Sequence, residues 1–198
     1  MLQKSTFMLA GVAALTLGVV TTVQAGTIIP GLVGASDDLT DTVGGTPTAS
    51  SEKNGQGAAQ VFDNSTSSKW FSNTTSTPWW VQFEFTTATV VDQYTITSGN
   101  DVPGRDLDDW TFEGSQDGSA WTVLDTQTGQ ADWTARQQTQ LFDPIGNTTA
   151  YKFYRFNISG TASPGCAQVG EFELLVPEPS SLALLGLGGL LLARRRRG

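Results

Sequence analysis

The 198-residue sequence has 15% charged residues, 22 Gly, a single Cys, no His and a formal net charge of −8. Without an imidazole it excludes Ser-His-Asp hydrolases, Cys-His proteases and His-ligated zinc enzymes. Residues 26–176 hold six Lys or Arg against eighteen Asp or Glu, a net −12, which argues against phosphate-driven nucleic-acid binding.

At the N-terminus, Lys4, an apolar run over 7–20 and small residues at Val23 and Ala25 predict a Sec signal peptide cleaved before Gly26. An uncleaved N-terminal anchor is the alternative. Residues 26–45 are rich in Gly, Asp and Thr and read as a lead-in, part of which can pair as an edge strand. From Thr46 the segments become short, β-branched and aromatic, separated by turn residues. Strands are expected over 80–85, 89–97, 110–114, 121–125, 134–142, 151–158 and 169–176. The turn Gln116-Asp117-Gly118-Ser119 joins two of them as a hairpin. The expectation is an all-β sandwich of roughly eight strands, with 110–121 its central hairpin and part of its core.

Six Trp (70, 79, 80, 110, 121 and 133) invite a sugar-stacking reading. Trp110 and Trp121 lie in expected strands, where large rings are usually buried, and most of the six are assigned to structure. Trp79 and Trp80 are adjacent, so a strand turns them to opposite faces. The single Cys166 excludes an intrachain disulfide.

The C-terminus reads Pro177-Glu178-Pro179, then 12 apolar residues over 182–193, then Arg194, Arg195, Arg196 and Arg197. That run is shorter than the roughly 20 residues a stable helical span needs. The three ordered features closely resemble the PEP-CTERM sorting signal. The resemblance implies transient insertion in the inner membrane, processing by an exosortase near Pro-Glu-Pro, and delivery to the cell surface or extracellular matrix. A plain tail anchor is the alternative.

Inside the body, VFDN (61–64) with Trp70 beyond it, WWVQFEF (79–85), YTITSGNDVPGRDLDDWTFEGSQDGSAWTVLD (94–125), YKFYRFNISG (151–160) and QVGEFELL (168–175) stand in order. Together they resemble a discoidin, or coagulation-factor type C, domain of the galactose-binding-like superfamily. The resemblance covers 46–176 and implies a jelly-roll β-sandwich of two antiparallel sheets. It also implies a structural Ca²⁺ site built from the Gln60 carbonyl, Asp63, Ser65, Ser68, the Gly170 carbonyl and Glu171. Calcium takes six to eight oxygens, carbonyls included, so this donor set is chemically suitable. The chain departs from the family's pattern with Asn64 for Gly, Ser65 for Asp or Asn, and Ser68 for Thr. An Asx-turn at Asp63 with a strand-end Glu171 is the alternative.

In sugar-binding members of the family the loop equivalent to 98–109 contributes an Arg and an Asn. Here it offers Asn100, Asp101 and Arg105, with Phe71, Asn73 and Trp79 bounding the facing loop. The competing reading pairs Arg105 with Asp106, Asp108 or Asp109 and makes the loop a brace. The expected function is a secreted, non-catalytic module at the cell surface or in the matrix, binding carbohydrate such as exopolysaccharide. The alternatives are a structural matrix or adhesion protein, and a carboxylate-only glycosidase, for which no activated nucleophile is evident.

Overall fold

The computed structural model describes residues 26–28, 38–130, 133–142 and 145–176. The expected signal peptide (1–25) and the sorting segment (177–198) lie outside the described residues.

In chain order the elements are β1 (Thr27–Ile28), α1 (Leu39–Thr42), β2 (Gly45–Ala49), β3 (Trp70–Phe71), β4 (Trp79–Thr89), β5 (Gln93–Thr97), β6 (Leu107–Ser115), β7 (Thr122–Gln127), β8 (Thr139–Phe142), β9 (Tyr151–Thr161), β10 (Gln168–Val169) and β11 (Glu171–Leu175). Short 3₁₀ turns occupy Ala58–Val61 and Pro103–Arg105. A five-stranded antiparallel sheet has the order β2-β4-β9-β6-β7, a four-stranded one the order β1-β8-β5-β11, and β3 pairs with β10 in a small ribbon.

Alternation decides which face of each strand is buried. In β4, Trp79, Val81, Phe83 and Phe85 turn inward, and in β9, Tyr154, Phe156 and Ile158 do. From the opposite sheet come Tyr94, Ile96, Phe172 and Leu174. The rings of Phe156 and Phe172 stack across the sandwich at 3.8 Å and 4°. Tyr94 meets Phe112 at 4.8 Å and Phe156 at 5.2 Å, so the two sheets share one aromatic core.

Two expectations need correction. The β6–β7 hairpin forms, with Gly118 at φ +71° in its turn, but β7 lies at a sheet edge rather than centrally. Trp121 lies outside the core, and Val123 is 55% exposed. The cause is a bulge in the β6–β7 register. Phe112 faces Asp125 and Glu113 faces Val123, so Leu124 is skipped and Val123 takes the outer face with Glu113. Part of the lead-in pairs as the edge strand expected of it, β1 against β8. Asp38 caps α1 through the Thr40 N–H (3.0 Å) and accepts the Leu174 N–H (3.2 Å), while β2 pairs along β4.

Candidate functional site

Five chain segments meet at one end of the sandwich. The Lys53–Gln56 turn lies against β3, with the Lys53 N–H donated to the Phe71 carbonyl and the Phe71 N–H to that of Gln56. Gln168 on β10 is fully buried and reaches the 98–106 loop, donating to the Val102 carbonyl and Asp106 Oδ1. Asp106 also accepts the Gly99 N–H and pairs with Arg136. Arg136 donates to the Gly99 carbonyl in turn. A buried carboxylate is stable only when paired and hydrogen-bonded: Oδ1 of Asp106 takes the hydrogen bonds, Oδ2 has the Arg136 charge beside it, and together these partners fix the loop's path.

On that base stands Phe71, half-buried. The Arg105 guanidinium lies 4.8 Å from its ring centroid, Lys53 Nζ 5.7 Å and Lys69 Nζ 5.9 Å. Lys69 is only 4% exposed, bonded to Gln168 Oε1 (3.0 Å) and paired with Asp101 (2.5 Å). Burial pushes the Asp101 carboxyl up, but Lys69, the Val102 N–H and Arg105 outweigh that and hold it below the usual range.

The expected ligand residues divide accordingly. Phe71, Arg105 and Asp101 come together. Asn100 is exposed but spends its amide on the Ser67 carbonyl at 2.7 Å, bracing the facing loop. Asn73 is exposed just past Phe71. Trp79 is a correction: at 3% exposure, with its indole N–H on the Thr74 carbonyl, it is a core ring. It shares strand parity with Val81, Phe83 and Phe85, so the pattern WWVQFEF already pointed it inward. The Arg105–Asp106 pairing does not form, because Arg136 takes that carboxylate. Lys53, Lys69, Gln168 and Arg136 carried no sequence signal, since distant segments bring them in.

Next to this cluster lie the residues named for calcium. Ser68 Oγ sits 2.8 Å from both carboxylate oxygens of Asp63, 2.9 Å from the Ser65 carbonyl and 3.5 Å from the Gln60 carbonyl. One hydroxyl proton cannot serve four acceptors. Glu171 enters from β11, its Oε1 accepting the Asn64 N–H at 3.2 Å. Its Oε2 is buried with no hydrogen-bond partner among the described residues. Burial pushes this carboxyl up to about 9, with like charge from Asp63 and Glu173 adding to the shift and the Asn64 N–H opposing it. Gly170 is held by its N–H on the Thr97 carbonyl, and a Cβ there would sit 2.7 Å from the Ser98 carbonyl oxygen. Among the described residues no three His, Cys, Asp or Glu side chains gather, so a cation here would rely on carbonyls and hydroxyls beside two carboxylates. That is a donor set for a hard cation such as calcium. Asn100 on Ser67 and Gln137 on Thr66 tie this loop to the Phe71 cluster.

The outer face of the five-stranded sheet carries a second polar group. Arg155 grips Glu113 through Nε and Nη2, Thr111 and Asn157 also donate to Glu113, and the Trp121 ring covers the guanidinium at 3.9 Å. Every charge there is answered internally, which marks the group as a brace.

A family model described as F5/8 type C domain matches residues 46–172, and one described as PEP-CTERM protein-sorting motif matches 175–197. Both resemblances read from the motifs are thereby borne out. Among curated proteins, a peptide-N(4)-(N-acetyl-beta-glucosaminyl)asparagine amidase of Arabidopsis thaliana is 30% identical over 122 residues, 59% of this chain. The chain spans only 17% of that relative's length. Among solved structures, chitosan-binding module 1 of a Paenibacillus sp. IK-5 chitosanase/glucanase superposes with a TM-score of 0.58 at 20% identity, over 71% of this chain and 98% of that one. The CBM32 of AlyQ, in complex with 4,5-unsaturated mannuronic acid, gives 0.55 at 18% identity, over 67% and 95%. At these identities the likeness shows a shared β-sandwich fold.

Proposed function

Because this chain belongs to the F5/8 type C domain family, we propose that it is a non-catalytic carbohydrate-binding module, delivered by its PEP-CTERM motif to the cell surface or matrix, with exopolysaccharide its ligand. The observation that carries this reading is the half-buried Phe71 ring on its pre-set base, with the Arg105 guanidinium 4.8 Å from its centroid and the exposed Asn73 two residues on in the chain. An aromatic face backs the C–H side of a sugar, and a guanidinium and amides answer its hydroxyls. The internal bonds of Asp106 and Gln168 hold these groups before any ligand arrives, which lowers the ordering cost of binding. The solved relatives that bind chitosan or a mannuronate unit support the class of ligand. We further propose a structural calcium at Asp63 and Glu171, with Gln60, Ser65, Ser68 and Gly170 supplying the remaining oxygens. It would fix the 63–68 loop that Asn100 and Gln137 grip.

A glycan array with calcium and with EDTA tests the main reading. The expected result is binding to a restricted set of polysaccharides, weakened about tenfold or more by Phe71→Ala, a loss on the order of 1.4 kcal/mol. The strand pairing of Phe71 is through its backbone, so the variant keeps the ribbon. No binding under either cation condition would favour the matrix-spacer alternative. Sugar released from native polysaccharide would overturn the non-catalytic assignment.

A further inference from the structure

Residues 26–176 carry six Lys and Arg in a body of net −12, yet four of the six gather at the Phe71 end. Lys53, Lys69 and Arg105 surround the ring, and Arg136 stands behind them on Asp106. Two of these cations are answered locally, Lys69 by Asp101 and Arg136 by Asp106. Lys53 and Arg105 make no ion pair with any described residue. They are placed by backbone bonds: the Lys53 N–H on the Phe71 carbonyl and the Arg105 N–H on that of Val102.

Gathering like charges costs energy unless an anion answers them. Salt screens the acidic remainder of the body beyond about 8 Å, so these near cations dominate at the ring. A guanidinium also presents a fork that matches a carboxylate with two parallel hydrogen bonds. Asp101, already paired with Lys69, feels Arg105 without forming an ion pair with it, so a neutral sugar, which needs an amide and a ring, leaves two cations without an ion-pair partner.

Building on the carbohydrate-binding reading, we infer that the Phe71 site takes a carboxylate-bearing sugar, a uronate unit of an acidic polysaccharide. Arg105 and Lys53 answer its carboxylate and Phe71 backs its ring.

Affinity electrophoresis of the full chain tests this, in gels containing polygalacturonate, alginate, fully methyl-esterified polygalacturonate or neutral glucan. The expected result is retardation by at least one polyuronate, at least tenfold stronger than by the ester. The Lys53→Gln/Arg105→Gln double variant loses that preference, while Arg105→Lys alone, which keeps the charge but not the fork, keeps only part of it. Lys53 is exposed in the 53–56 turn and Arg105 half-buried in the 98–106 loop, and an unchanged melting curve confirms that the double variant folds. Equal retardation by acid and ester, retention of the preference in the double variant, or binding to neutral glucan alone overturns the inference and leaves the carbohydrate reading standing. Retardation by no polysaccharide, here and on the array, overturns both.

Discussion

In EDTA at pH 7.5, Glu171→Gln is expected to melt at a higher temperature than the wild-type chain, and added calcium to stabilise only the wild type. The reason is the position of the Glu171 carboxyl, fully buried and pushed from the ordinary 4.5 up to about 9. In the unfolded chain this group ionises near 4.5, whereas the folded chain keeps its proton until near 9. The folded state therefore loses stability progressively as pH rises between those two values, and below about 4.5 no such loss exists. At pH 7.5 the loss amounts to at most about 4 kcal/mol. Gln keeps the acceptor for the Asn64 N–H and removes the titrating proton. A divalent cation beside Asp63 and Glu171 reverses the shift, so its binding stabilises the fold and releases about one proton per site near neutral pH. Calorimetry with calcium and with EDTA, paired with a pH-stat measurement of proton release, reads both effects. Superimposable wild-type melts in the two buffers would remove calcium from the account of this protein.

Phe156→Ala should cost about 3–5 kcal/mol and lower the melting temperature by roughly 10 °C or more. Its ring lies parallel to Phe172 at 3.8 Å and also meets Phe112 at 4.8 Å, so truncation opens a cavity where the two sheets join. Domain stabilities are only about 5–15 kcal/mol, so such a loss consumes a large share. Phe153→Ala, three residues away on β9 and of opposite parity, should lose about 1 kcal/mol or less, because that ring is half-buried on the outer face. Equal losses for the two variants would contradict the assignment of inner and outer faces.

Much of the fold was legible in particular residues. The alternation of WWVQFEF, the Asp-Gly turn and the YKFYRFNISG segment marked strands that form, and β4, β6 and β9 lie together in one sheet. The residues proposed for calcium were read through the resemblance around Asp63 and Glu171, and the fold brings Glu171 beside the Asp63–Asn64 turn. The ligand loop was legible only in part. Phe71 and Arg105 meet, but Asn100 turns its amide to a neighbouring loop and Trp79 turns inward.

Alone, the sequence determined the strand periodicity, the hairpin turn, the acidic body without His, and the ordered C-terminal motif. All of these are local, because side-chain parity repeats every two residues and turn chemistry sits within four. Only the tertiary structure decided that Trp121 covers Arg155 instead of entering the core, since that depends on one skipped residue in the β6–β7 register. It alone also placed three cations around Phe71 and left Glu171 Oε2 buried without a partner. Those features arise from segments far apart in the chain, brought together by cross-strand hydrogen bonds that no local pattern encodes.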